Sequence, residues 1–69
     1  MLAAERQRRV DQAISKLSPK LREAVLLRFE QGLGYPEIAG IVRSPEVTVR
    51  SRVFLAVSQL RSRLPEPQS

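Results

Sequence analysis

The sequence predicts an all-α domain of four helices, with a C-terminal helix-turn-helix and a long last helix. Apolar residues recur at the spacing of one helix face over most of the chain. Proline and glycine residues divide these stretches into four segments. Residues 33–52 have the pattern of a short helix, a tight turn and the start of a basic helix. The 69 residues are enough for one small domain.

The composition is basic and excludes several classes of site. Twelve Lys and Arg against seven Asp and Glu give a net charge of +5, which suits a nucleic acid and a merely solvated surface about equally well. The absence of cysteine and histidine excludes disulfides and the usual zinc ligand sets, so we expect no metal and no other cofactor. No apolar run approaches the roughly 18 residues that span a bilayer, and the N-terminus lacks the apolar core of a signal peptide. We therefore expect a cytoplasmic protein with no membrane partner.

The N-terminal half predicts an arm and two helices. Residues 1–9 have few apolar anchors and are predicted to be a flexible arm or linker remnant. The next segment places Val10, Ala13, Ile14 and Leu17 on one helix face. Ser18 and Pro19 suit the N-cap and first position of a second helix over residues 19–31. That helix is apolar almost all round, through Leu26, Leu27 and Phe29, so we expect it to lie centrally, and Gly32 to end it.

The C-terminal half predicts the helix-turn-helix. A third helix runs from about residue 36 to 42, residues 43–45 form the turn, and a fourth helix runs from about 45 to 64. Ser44 suits its N-cap and Pro45 its first position. The fourth helix carries an apolar stripe: Val49, Val53, Ala56, Val57, Leu60 and Leu64. We therefore predict a domain over residues 10–64 and, because of two prolines, a disordered tail over 65–69.

The two helices of the motif carry the residues that such a motif needs. Ala39 is small enough for a close helix crossing, and apolar residues lie on the facing sides: Ile38, Val42, Val49 and Val53. The opposite side of the last helix begins with hydroxyls and arginines: Thr48, Arg50, Ser51 and Arg52. That set suits insertion into a DNA major groove, although arginines on an amphipathic helix are also compatible with a solvated face.

Two segments, LSPKLREAVLLRFEQGLGYPEIAGIV and TVRSRVFLAVSQLRSRL, closely resemble region four of bacterial sigma factors, the extracytoplasmic-function group above all. The resemblance implies a non-enzymatic, monomeric domain that reads the minus-thirty-five element of promoter DNA with a long recognition helix. It also implies docking on the β flap of RNA polymerase. The implied DNA contacts are Arg22, Thr48, Arg50, Ser51, Arg52 and Phe54, with Arg43 adding charge in the turn. Arg52 has an alternative role, pairing with Glu37 to brace the motif.

Two departures from the family pattern stand out. Arg43 and Ser44 occupy turn positions that usually hold a glycine and an apolar residue, and a side chain in a left-handed turn costs roughly 1 kcal/mol. Leu55 stands where an arginine facing the DNA is expected, so Phe54 and Leu55 form a small apolar patch. Three explanations are open for this patch: a thymine methyl contact, a protein partner such as an anti-sigma factor, activator or second copy, or no role.

Other assignments are also open. The chain fits a fragment of a longer sigma factor better than a stand-alone regulator of the same type. A response-regulator output domain, which dimerises through its last helix, and a protein-interaction adaptor held by a regulatory partner are the alternatives to promoter reading.

Overall fold

The computed structural model describes residues 3–64 and contains only helices as regular structure within that range. The elements are α1 (Ala3–Ser15), α2 (Pro19–Val25), a π-helical turn (Leu26–Glu30), α3 (Tyr35–Val42) and α4 (Glu46–Arg63). The predicted all-α fold with a C-terminal helix-turn-helix is therefore confirmed. None of the helices in this range is long and apolar enough to cross a membrane.

The boundary of the first helix differs from the prediction. It begins at Ala3 instead of near Val10, so residues 3–9 of the expected arm are helical. Helix-forming residues fill this stretch, and Arg9 pairs with Glu5 one turn earlier at 3.8 Å. The division into arm, domain and tail stays a prediction, and residues 65–69 of the expected tail lie outside the described residues.

The centre of the fold is α4, which packs against α1, α2 and α3. The predicted apolar stripe is confirmed, since Val49, Val53 and Ala56 are buried. The second helix was expected to lie centrally, and its N-terminal part does pack against α4 and supplies buried residues to the core, whereas its π-helical end has none. Phe29, one of the residues on which that expectation rested, has 62% of its surface exposed.

The core is aliphatic and consists of two groups of side chains on neighbouring faces of α4. One group contains Ala24, Ile38, Val49 and Val53, and the other contains Leu17, Val25 and Ala56. The adjacent residues Ala24 and Val25 of α2 contribute to different groups, so α2 joins them. Each fully buried aliphatic side chain stabilises the fold by roughly 1.5–3 kcal/mol relative to an exposed one.

The second helix was predicted to be continuous over residues 19–31, but its regular α-helix ends at Val25. The chain then widens into the π-helical turn, where the Gln31 N–H donates to the Leu26 carbonyl at 3.1 Å. Gly32 follows with φ of 70° and ends the helix as predicted. The Leu33 N–H donates back to the Leu27 carbonyl at 3.1 Å and closes this end.

The start of α3 is held by a capping contact that the sequence analysis did not consider. The Glu37 side chain accepts a hydrogen bond from the Gly34 N–H at 2.8 Å. This contact satisfies a backbone donor just before the helix and places a negative charge in its first turn.

The tight turn between α3 and α4 corrects the predicted cap. Arg43 adopts a left-handed conformation, with φ of 56° and ψ of 49°, as the departure from the glycine pattern predicted. The Ser44 N–H donates to the Ala39 carbonyl at 3.2 Å, so Ser44 closes α3 and does not cap α4. Pro45 occupies the N-cap position, and its carbonyl accepts from the N–H groups of Thr48 and Val49. Ser18 does occupy the N-cap position of α2, but its side chain makes no capping hydrogen bond.

Candidate nucleic-acid interface

The helix-turn-helix is held together by the contacts that the sequence predicted. Ile38 of α3 and Val49 of α4 are fully buried in the same core group, and Ala39 and Val42 pack against that group. The short α3 thereby fixes the direction of α4. At about 1.5 Å per residue, the 18 residues of α4 extend for about 27 Å.

The exposed side of α4 lies slightly differently from the predicted one. Arg50, Ser51 and Phe54 are exposed, whereas Thr48 and Arg52 are half-buried. Phe54, which the helical periodicity put at the flank, therefore belongs to the middle of the exposed face. The reason is that the buried side follows Val49, Val53 and Ala56, which leaves the arc around Ser51 outermost.

Three apolar side chains extend along this outermost arc. Val47, Phe54 and Leu55 have 68%, 70% and 49% of their surfaces exposed. Val47, Ser51 and Leu55 follow one another at intervals of four residues, with Phe54 beside them, so they form one line along the helix. We call these four residues the α4 ridge. Phe54 and Leu55 were predicted from the sequence, but Val47 was not, because the exposure of Val47 depends on where the buried side of α4 lies.

Arg50 is held by two neighbours. Its Nη2 donates to the Glu46 carboxylate at 2.8 Å, one turn earlier on the same helix. Its guanidinium also lies over the ring of Tyr35, 4.8 Å from the ring centroid. A second guanidinium, that of Arg28, lies 4.7 Å from the same centroid. The Tyr35 ring is therefore contacted by two cations, one from the π-helical turn and one from α4.

Sequence reasoning missed this stack, which we call the Arg28–Tyr35–Arg50 stack. Arg28 lies in the π-helical turn, where its Nη1 donates to the Leu33 carbonyl at 3.0 Å. An arginine within the apolar run LLRFE was the only available signal. The stack ties the predicted DNA contact Arg50 to the N-terminal end of α3.

The other candidate residues fall into two places. Arg43 is exposed on the turn directly before α4. Arg22 is half-buried, and its Nη2 donates to the Leu17 carbonyl at 3.1 Å and to the Ser15 carbonyl at 3.5 Å. Its guanidinium thus caps the C-terminal end of α1, a structural role that the sequence did not predict.

The ion pair between Arg52 and Glu37, the alternative role of Arg52, is not formed. The Glu37 carboxylate is occupied by the Gly34 N–H, and between residues 3 and 64 no ion pair joins Arg52 to Glu37. Arg52 therefore keeps its guanidinium available beside the α4 ridge. In the same range no group of acidic side chains is arranged to hold a metal ion.

A shallow depression of about 390 Å³ lies over α2 and the π-helical turn. Its lining is mainly apolar, with charged residues among it: Pro19, Arg22, Glu23, Leu26, Leu27, Glu30 and Gln31. It shares no residue with the α4 ridge.

Comparison with known proteins identifies the family. The family described as Sigma-70, region 4, matches residues 7–60. The chain is 39% identical over 64 residues to the ECF RNA polymerase sigma-E factor of Haemophilus influenzae, covering 93% of this chain and 34% of that protein. It is 46% identical over 56 residues to the sigma-E factor of Escherichia coli, covering 81% of this chain and 29% of that protein. For the RNA polymerase sigma-H factor of Pseudomonas aeruginosa the identity is 45% over 56 residues, with the same coverage of 81% and 29%.

These matches span about a third of the length of the curated relatives. They confirm the resemblance that the sequence analysis stated. The chain belongs to the sigma-70 region 4 family, in the extracytoplasmic-function group of sigma factors.

Proposed function

We propose that this domain recognises the upstream, minus-thirty-five element of promoter DNA and docks on the β flap of RNA polymerase, as part of a cytoplasmic sigma factor. It acts as a monomer in transcription initiation and catalyses no reaction itself. The observation that carries the proposal is the exposed N-terminal half of α4, held rigidly by α3 and by the Arg28–Tyr35–Arg50 stack. Family membership supports the same assignment.

The dimensions and charges of α4 suit a major groove. An α-helix with its side chains is about 10–12 Å across, and the major groove of B-DNA is about 12 Å wide. Arg43, Arg50 and Arg52 surround the exposed face, and the N-terminal end of α4 adds a partial positive charge. Phosphate contacts from these groups position the helix, and side chains on its exposed face then meet the base edges.

A duplex titration tests the DNA part. Labelled duplex with a minus-thirty-five element and random duplex of equal length are titrated at two salt concentrations. We expect the promoter duplex to bind more tightly, and each lost phosphate contact to reduce the salt slope by about 0.9. Arg50→Gln should weaken binding, whereas Arg9→Gln, a matched loss of charge on α1, should leave it unchanged. If promoter affinity never exceeds that of random duplex, the reading role fails and a protein-interaction adaptor is favoured.

The depression over α2 and the π-helical turn is the proposed site for the polymerase flap. Its apolar floor, Leu26 and Leu27, suits the apolar face of a helix, and its rim offers both signs of charge through Arg22, Glu23 and Glu30. Glu23 is exposed, so replacing it should not disturb the core. We expect Glu23→Arg to weaken binding to a purified β-flap fragment and to leave DNA binding intact, while Phe54→Ala should leave flap binding intact. Unchanged flap affinity in Glu23→Arg and in Leu26→Ala, with both variants folded by circular dichroism, would contradict this site.

A further inference from the structure

We propose that the α4 ridge reads the 5-methyl groups of thymine, so that the DNA site of this chain carries thymines where Leu55 and Phe54 meet the base edges. The inference rests on the proposed DNA-reading function and makes it more specific. It selects one of the explanations left open for the Phe54–Leu55 patch.

The α4 ridge is mainly apolar. Val47, Phe54 and Leu55 are apolar and largely exposed, and Ser51 is the sole polar member of the ridge. Between residues 47 and 55, both arginines lie beside the ridge and not on it. A recognition helix of this kind cannot use a bidentate arginine–guanine contact on its outermost line. Its leading surface therefore selects apolar groups.

The two arginines of this segment lie on opposite sides of the ridge. Successive residues on a helix are about 100° apart, so Arg50 and Arg52 leave the helix on opposite sides of Ser51. Two cations that flank a central apolar line match the major groove, where two phosphate backbones border the base edges. An apolar face that docks on a protein core has no such need for a cation on each side.

The major groove contains an apolar group that the ridge can contact. Among the base edges in the major groove, the thymine methyl is the one apolar group. Leu55 and Phe54 are adjacent in sequence, and their side chains leave the helix about 100° apart. They therefore reach neighbouring positions along the groove. The Ser51 hydroxyl lies between them and Val47 and can accept or donate a hydrogen bond to a base edge. The ridge thus fits a site with thymine on at least two neighbouring base pairs.

The test combines DNA selection with removal of single methyl groups. The 69-residue chain is used to select duplexes from a random library, and the enriched thymines are replaced one at a time by deoxyuridine. Deoxyuridine keeps the hydrogen-bonding edge of thymine and lacks only its methyl group. Burial of one methyl corresponds to about a fourfold change in affinity. We expect that loss at two neighbouring positions, with deoxyuridine outside the selected site as the neutral control.

Protein variants then assign the methyl groups. In Leu55→Ala, the loss caused by deoxyuridine should disappear at one position and persist at others. Phe29→Ala removes another exposed apolar side chain, from the π-helical turn, and should keep the wild-type pattern. Leu55→Arg should bind all duplexes more tightly and select against thymine at the assigned position.

The outcomes separate the inference from the function on which it rests. If a duplex is enriched but deoxyuridine binds as well as thymine, the methyl-reading inference is wrong and promoter reading stands. If the Leu55→Ala variant stays as sensitive to deoxyuridine as the wild type at every position, the assignment to Leu55 is wrong. If no duplex is enriched over the random library, promoter reading itself fails.

Discussion

Replacing Tyr35 should weaken the attachment of α4 to the rest of the domain. The guanidinium of Arg28 lies 4.7 Å from the centroid of the Tyr35 ring, and that of Arg50 lies 4.8 Å from it. A cation–π contact at an exposed site contributes about 0.5–1 kcal/mol, so the two together contribute about 1–2 kcal/mol. Tyr35→Leu keeps an apolar side chain against the core group but removes both contacts. We expect it to lower the free energy of unfolding by about 1–2 kcal/mol.

The measurement is urea unfolding followed by circular dichroism, with Tyr35→Phe as the matched control. Phenylalanine keeps the ring and both cations, so most of the stability should be retained. In thermal unfolding, each 1 kcal/mol should appear as a shift of about 4–8 °C in a domain of this size.

A double-mutant cycle isolates the contact with α4. Tyr35→Leu is combined with Arg50→Met, and the Glu46 pair cancels because it is absent whenever Arg50 is replaced. We expect a coupling of about 0.5–1 kcal/mol between Tyr35 and Arg50. Strictly additive effects, or a Tyr35→Leu variant as stable as Tyr35→Phe, would refute the structural role of the stack.

Three further predictions concern stability and use urea unfolding as the measurement. Gly32→Ala should lower the free energy of unfolding by about 1 kcal/mol because Gly32 has φ of 70°. Gly40→Ala should raise it by up to about 1 kcal/mol, because Gly40 lies within α3 and no atom lies within 4 Å of the added Cβ. Equal effects at the two glycines would contradict the described turn. Arg43→Gly should stabilise the domain by about 0.5–1 kcal/mol, because glycine adopts the left-handed conformation without strain. Arg43→Ala should give no such gain, and both variants should bind DNA less tightly. Ile38→Ala should cost about 2–5 kcal/mol, whereas Ile41→Ala on the same helix, 55% exposed, should cost far less; similar losses would show that the core is placed wrongly.

The sequence was sufficient to predict the fold, because periodicity and chain breaks are local signals. The apolar faces of α1 and α4 follow from residue spacing alone, and Gly32 marks a helix end that needs a positive φ. The helix-turn-helix follows from the same pattern together with a small residue at Ala39. The family pattern left open a strained left-handed residue at Arg43 or a differently shaped turn, and the structure has the left-handed residue.

The interface was predicted less completely, because its details depend on small rotations and on tertiary contacts. The π-helical turn has no clear sequence signal, yet Arg28 within it contacts Tyr35 and joins the same stack as Arg50. The cap of α4 was placed one residue early because Ser44 was assigned to the wrong helix end. The role of Arg22 at the end of α1 depends on how α1 and α2 meet, which residue spacing does not encode.

The most direct test of the central claim is the affinity ratio between a minus-thirty-five promoter duplex and a random duplex, measured with the wild-type chain and with Arg50→Gln at the same salt concentration. Specific protein–DNA complexes typically bind the right site at least about a thousandfold more tightly than random DNA. We predict a ratio well above one for the wild type, reduced absolute affinity in Arg50→Gln, and reduced selectivity when the α4 ridge is altered by Leu55→Ala. A wild-type ratio of one would contradict the claim that α4 reads promoter DNA.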